Sequence, residues 1–157
     1  MTESFDAFYE ENKEKLFSYL MRVTGDYELS RDVMQESFTR CLEHYGFKDM
    51  SASLLYTVAR NALWDRIRKR GRRASRFPGG EKTAIDQEAY LMIRDEYRLV
   101  LEAMMFLAED ERDLLALVVG GDLTYKQIAA ITGLSVPNVK VKVHRARRRL
   151  AAILDGG

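Results

Sequence analysis

Apolar residues recur every three or four positions along almost the whole chain, and no stretch alternates apolar with polar residues as a half-buried strand would. The pattern predicts an all-α fold. A first helix is expected from about Phe5 to Thr24, carrying Phe5, Phe8, Tyr9, Leu16, Leu20 and Val23, with Gly25 as its stop. A second runs from about Tyr27 to Tyr45, with Asp26 as N-cap and Gly46 as the stop. On it Met34, Phe38, Cys41 and Tyr45 share the inward face, while Asp32, Glu36, Thr39 and Glu43 form an outward acidic stripe. A third helix begins after Ser51 or Ser53 and runs into a basic tract over residues 66–73. Leu54, Leu55, Val58, Ala59, Ala62 and Leu63 occupy one side of it, and Trp64 projects opposite with Thr57, Arg60, Asn61 and Arg68 around it.

Residues 77–83 combine a proline and two glycines with charge and show no helical period, so a flexible linker is expected at 77–84. It would separate one small helical domain over 1–76 from a second over 85–157. In the second, helices are expected at about Ile85 to Leu107, Asp110 to Val119, Thr124 to Thr132 and Ser135 to Leu154.

The last two of these meet the requirements of a helix-turn-helix. Thr124 and Gln127 are spaced for a capping box, which would tie down the free amides of the shorter helix. Ala129 is small where the two helices must touch, Gly133 suits a turn needing positive φ, and Val139 closes the contact from the second helix. Ser135 is a good N-cap, and Pro137 falls in the first turn, where amides lack intrahelical partners. Val136, Val139, Val143, Ala146, Leu150 and Ile153 then form one apolar stripe. The opposite side carries Val141, His144, Arg145 and Arg148, flanked by Lys140 and Arg147 on one edge and Asn138, Lys142 and Arg149 on the other. Such a face suits a DNA major groove, where long cations reach phosphates or guanine edges and a valine meets a thymine methyl.

Charge sharpens the picture once it is divided along the chain. The net charge of the 157 residues is only +1, yet residues 1–50, 51–76, 77–113 and 114–157 carry −5, +7, −6 and +5. Two basic segments, each preceded by an acidic one, suggest two modules that both touch a polyanion and show acidic surface to something else. An exposed tryptophan among arginines could stack on an unpaired base, or Trp64 could pack against another helix. The acidic stripe could be a solvated face, or it could meet a basic protein surface.

Other classes are disfavoured. With one cysteine, Cys41, an intramolecular disulfide and a multi-cysteine zinc site are both ruled out, and a buried inert thiol is expected. His44 and His144 fall in different modules, and neither an H-E-x-x-H motif nor a phosphate-cradling glycine loop occurs, so no catalytic residue, metal or cofactor is expected. The acidic N-terminus is unlike an export signal, and no run approaches the ~20 apolar residues of a membrane span. A cytoplasmic protein with no membrane insertion is expected.

Asp32-Val-Met-Gln-Glu-Ser-Phe38 resembles the D-x-x-Q-E-x-F signature of sigma factor region two, and Leu55-Tyr-Thr-Val-Ala-Arg-Asn-Ala-Leu-Trp-Asp65 resembles its promoter-melting helix. Leu107-Ala-Glu-Asp-Glu-Arg112 is similar to the L-P-x-x-x-R start of region four, and Val139-Lys-Val-Lys-Val-His-Arg-Ala-Arg147 to its end. In the right order over nearly the whole chain, these motifs resemble the compact extracytoplasmic-function group of the sigma-70 family.

The resemblance implies a subunit that directs RNA polymerase to promoters and opens them, without chemistry of its own. It implies that Asp32, Gln35, Glu36 and Phe38 belong to the helix that docks the polymerase β′ clamp, with Phe38 supporting it from inside. Arg60, Asn61, Trp64 and Arg68 would act on the melted minus-ten element, and the loop holding Phe47 and Lys48 would capture a flipped base. Region four would meet the polymerase β flap and read the minus-thirty-five duplex through Asn138, Lys140, Val141, Lys142, His144, Arg145 and Arg148. The partners implied are core RNA polymerase, promoter DNA and an anti-sigma factor. Ala108 stands where the family usually has proline, and Pro137, Asn138 and Lys142 also depart from its common residues, so base preference does not transfer. Two other readings are a sigma-like module that binds an anti-sigma factor without DNA, and a simple helix-turn-helix regulator. The first would lack the basic faces seen here, and the second leaves the N-terminal half unexplained.

Overall fold

The computed structural model describes residues 5–46, 49–74, 95–120 and 122–156. Among the described residues all regular structure is helical: α1 (Phe5–Thr24), α2 (Tyr27–Tyr45), α3 (Ala52–Ala74), α4 (Asp95–Met104), α5 (Glu109–Val119), α6 (Tyr125–Thr132) and α7 (Val136–Leu154). The expected linker at 77–84 and the first ten residues of the helix expected from Ile85 lie outside the described residues. That helix ends at Met104 rather than Leu107, in a turn where the amides of Phe106 and Leu107 reach back three residues.

Local chemistry sets most of the boundaries. Gly25 and Gly46 end α1 and α2 with φ of 68° and 72°, values that L side chains rarely adopt. The Asp26 carboxylate accepts the Leu29 amide at 3.0 Å and starts α2, and the Ser51 hydroxyl accepts the Leu54 amide at 3.1 Å and starts α3.

Helices α1, α2 and α3 pack together around Leu16, Leu20, Val33, Phe38, Cys41, Leu55, Ala59 and Leu63, all buried. Phe38 lies among Phe5, Phe8 and Tyr9, with its ring centroid 4.7 Å from that of Tyr9. Each such side chain contributes about 1.5–3 kcal/mol through burial. In the C-terminal group α5 and α6 pack against α7 through Leu114, Leu117, Ile128, Ile131, Val139, Val143 and Ala146, and α4 joins them.

The two groups do not stand apart. Helix α1 packs on α5 and α3 packs on α6, and one continuous buried cluster passes through both groups. Arg112 of α5, with no solvent exposure, sits at this junction. Its guanidinium donates to the carbonyls of Met104 (2.8 Å) and Leu107 (2.5 Å), and at longer range to Met105 (3.3 Å) and Val23 (3.4 Å). The side chain thereby caps the end of α4, fixes the α4–α5 turn and touches the last turn of α1.

Candidate nucleic-acid and protein interfaces

Helices α6 and α7 form the motif expected from the spacing. The Thr124 hydroxyl accepts the Gln127 amide at 3.0 Å while the Gln127 side chain accepts the Thr124 amide at 2.8 Å. Gly133 adopts φ 81° and donates to the Ala129 carbonyl at 2.8 Å, and Ser135 accepts the Asn138 amide at 3.2 Å. With both helix ends satisfied, the turn angle is fixed by local bonds, and Val139 and Val143 lock α7 onto the core. The outer side of α7 then presents Asn138, Lys140, Val141, His144, Arg145, Arg147 and Arg148 to solvent, with Lys142 half-buried at the edge. Arg149 is anchored on Glu111 of α5 at 3.2 Å, which ties the helix to its support. No acidic residue lies on α7 itself, so the cations of this face meet no opposing charge on their own helix and are able to meet a phosphate backbone.

The N-terminal group carries two further surfaces. On α2, Asp32 and Gln35 are exposed and Glu36 is half-buried. The acidic stripe is not bare: Glu36 pairs with Arg40 at 2.5 Å and with Arg66 of α3 at 2.9 Å, and Arg66 also lies 3.9 Å from Asp32. A groove of about 480 Å³ runs between the two helices here, lined by Leu29, Glu36, Arg40, Ala62, Asp65, Arg66, Lys69 and Arg70. Phe38 does not reach this surface, being only 3% exposed within the aromatic cluster.

On α3, Asn61 and Arg68 are exposed, Arg68 pairing with Asp65 one turn away. Trp64 is half-buried rather than projecting freely. Arg60 turns toward the C-terminal group, where its Nε donates to Oδ2 of Asp113 at 2.7 Å. The other carboxylate oxygen of Asp113 accepts the Tyr19 hydroxyl at 2.5 Å. Burial works against the Arg60 charge, but Asp113 outweighs it and raises the arginine pKa. Burial, reinforced by Asp113, pushes the Tyr19 phenol well above its usual range. Phe47 and Lys48 lie outside the described residues.

Comparison with known proteins covers both helix groups. Residues 8–73 match the family described as Sigma-70 region 2, and residues 97–150 match Sigma-70, region 4. The chain is 30% identical over 146 residues to the ECF RNA polymerase sigma factor EcfG of Rhodopseudomonas palustris, covering 88% of this chain and 78% of that one. The chain belongs to the sigma-70 family.

Within that family it is also 29% identical to the ECF RNA polymerase sigma factor SigM of Bacillus subtilis, over 98% of this chain and 97% of the relative. Its fold is similar to that of the sigma factor RpoE in a complex with the anti-sigma factor NepR from Bartonella quintana, with a TM-score of 0.73 at 20% identity over 97% of both chains. It is similar as well to CnrH in a complex with the cytosolic domain of CnrY, with a TM-score of 0.70 at 21% identity over 96% of this chain and 87% of that one. Region two thus corresponds to α1–α3, and the region four match begins within α4 and runs to α7.

Several residues that shape the sigma fold carry no mark in the sequence pattern. Tyr56 is only 4% exposed, although it falls outside the apolar side read for α3, and burial pushes its phenol up to about 12. Arg22 donates from Nε and Nη2 to the Ala116 carbonyl of α5 at 3.1 and 2.8 Å. Tyr19 and Asp113 complete the set, and these four lie where region two meets region four, a surface that helical periodicity within one helix cannot reveal. Arg112 stands in the motif quoted for the start of region four, but its burial at the same junction is not legible there.

Proposed function

We propose that the protein binds core RNA polymerase and directs promoter-specific initiation as an extracytoplasmic-function sigma factor. Residues 1–76 form the unit that engages polymerase and the minus-ten element, and residues 85–157 the unit that engages the minus-thirty-five element, joined by 77–84. Lys140, Val141, His144 and Arg145 face the minus-thirty-five duplex, with Asn138, Lys142 and Arg148 at its edges. Arg60, Asn61, Trp64 and Arg68, with Phe47 and Lys48, take the melted strand. Asp32, Gln35 and Glu36 face the β′ clamp, Phe38 braces them from the core, and region four meets the β flap.

The observation that carries this reading is the cationic outer face of α7 on a fully capped helix-turn-helix, in one chain with a region two helix that presents Asn61, Trp64 and Arg68. Polymerase supplies the chemistry, so the protein is no enzyme and works in the cytoplasm without a cofactor. Among the described residues no helix is long and apolar enough to cross a membrane, and no cluster of potential metal ligands occurs. The similar sigma factor RpoE is in complex with the anti-sigma factor NepR, and the similar CnrH with the cytosolic domain of CnrY, which supports an anti-sigma factor as a further partner. The persistence of the basic faces speaks against a module that binds an anti-sigma factor alone.

Run-off transcription with purified core polymerase on a promoter-fragment library tests the proposal. New, sequence-selective transcripts that disappear with Trp64→Ala, in a variant that keeps its helical circular dichroism, are expected. If polymerase neither binds the protein nor starts new transcripts, the proposal fails.

A further inference from the structure

The side of α3 that carries Arg60 points at region four rather than at open solvent. Its side chain is only 26% exposed, and the side chain of Asp113, whose carboxylate holds it, is 4% exposed. A carboxylate on an arginine has the charge and bonding geometry of a phosphate oxygen on the same arginine. Tyr19 fixes that carboxylate from the other side, so Asp113 is both aimed and held. Helix α6 packs along α3 as well, which places the first helix of the helix-turn-helix beside the same surface.

We propose that Asp113 is an intramolecular stand-in for a nucleic-acid phosphate at Arg60, and that it holds the protein in a closed form from which single-stranded DNA must displace region four. The idea rests on the reading of α3 as the strand-binding helix. Its occupant is region four of the same chain, seated through Asp113. Two more polar ties support the closed form at its edge: Arg22 to the Ala116 carbonyl, and Lys15 to Asp122 at 3.5 Å.

The interface has the character of one that opens. Beside its apolar contacts it is closed by an ion pair, phenols and guanidinium-to-carbonyl bonds, groups that water accepts readily when the halves part. Interfaces between domains of such mixed polarity separate more easily than large apolar ones. Opening returns both members of the Arg60–Asp113 pair to water, so the cost of breaking the pair is largely recovered by solvation. Removing Asp113 alone has another effect. In the closed form it strands Arg60 and the Tyr19 hydroxyl in a poorly solvated place, which favours the open form, and it frees Arg60 for a strand.

The test uses the full chain with spin labels on Ser18→Cys and Ala130→Cys, both exposed positions, Cys41 being buried and left in place. Electron-spin distance measurements report closure, and fluorescence anisotropy with a fluorescein-labelled single-stranded DNA of random sequence reports strand binding. The wild type is expected to show one narrow distance distribution that broadens when the oligonucleotide is added. Asp113→Asn is expected to be broad without DNA and to bind the strand roughly tenfold tighter, a gain that a second substitution, Arg60→Ala, removes. Tyr19→Phe, which loosens Asp113 without removing its charge, is expected to shift both readouts the same way by less, and it decides the matter if Asp113→Asn does not fold.

A distribution that stays narrow in a folded variant, with unchanged affinity, would overturn the proposal. If Arg60-dependent strand binding occurs in the wild type while the distribution stays narrow, the closed form does not compete with the strand; the stand-in fails and the reading of α3 survives. If the variant opens but gains no Arg60-dependent binding, Arg60 is not a strand ligand, and the stand-in falls together with that part of the reading.

Discussion

Replacing Arg112 with alanine removes a cation that no surface mutation resembles. The guanidinium has no exposure and serves four carbonyls, two at 2.8 and 2.5 Å and two at 3.3 and 3.4 Å. Burial brings its pKa down to about 10, so it remains charged at neutral pH and its hydrogen bonds are charge-assisted. A buried acceptor left without a donor costs about 1–3 kcal/mol. Counting the Leu107 bond fully, and discounting the two long ones and the Met104 carbonyl, which keeps the Leu107 amide as a donor at 3.1 Å, Arg112→Ala should destabilise the protein by about 2–4 kcal/mol. That is a large share of the ~5–15 kcal/mol that holds a domain of this size folded.

Arg112→Lys keeps the charge but offers a point donor where the carbonyls need a planar fork, and should lose roughly half as much. Urea unfolding followed by far-ultraviolet circular dichroism measures both, with an unchanged m value showing that the folded state is otherwise intact. A loss under about 1 kcal/mol for Arg112→Ala would refute the reasoning, because water would then have replaced the guanidinium without penalty.

Lys140→Ala and Arg145→Ala should each weaken binding to a cognate promoter about tenfold while leaving core polymerase binding intact, as separate gel-shift and pull-down titrations would show. Glu36→Arg should do the reverse, and because Glu36 bridges Arg40 and Arg66 it should also lower the urea midpoint. Burial raises the Cys41 thiol from 9.0 to about 11, so below about pH 9 it is protonated whether folded or unfolded and stability is unaffected. Between the two values only the unfolded thiol ionises, and stability should fall as pH rises, by up to about 1.4 kcal/mol per pH unit. Equal urea midpoints at about pH 8 and about pH 10 would contradict this.

What the sequence disclosed follows from how far each signal reaches. The capping box of Thr124 and Gln127, the turn at Gly133 and the caps at Asp26 and Ser135 each depend on a few adjacent residues, and all formed as spaced. The apolar stripes of α2 and α7 depend on one helix, and Phe38, Cys41, Val139, Val143 and Ala146 are buried accordingly, whereas Tyr45, read on the same face of α2, is 46% exposed because the helix ends there. The reading weakened where partners are distant along the chain. The acidic stripe was legible on α2, but its partner Arg66 lies thirty residues away, on another helix. Trp64 had two open readings, and the structure places it between them, half-buried. Asp113 and Tyr19 are ninety-four positions apart, and no periodicity relates them.

The composition of that distant contact has its own logic. A face that stays closed could be built from leucine and isoleucine, as the core around Leu55 and Leu63 is. Here the facing side chains include Tyr19, Arg22, Tyr56 and Arg60, each of which buries an apolar body or stem and keeps a polar end. The opening proposed above, in which region four leaves Arg60, would expose this face. Leucines there would form a large apolar patch prone to association, whereas tyrosines and arginines remain soluble and can meet bases and phosphates. The residues that close region two on region four are thus of the kinds that the proposed opening toward DNA requires.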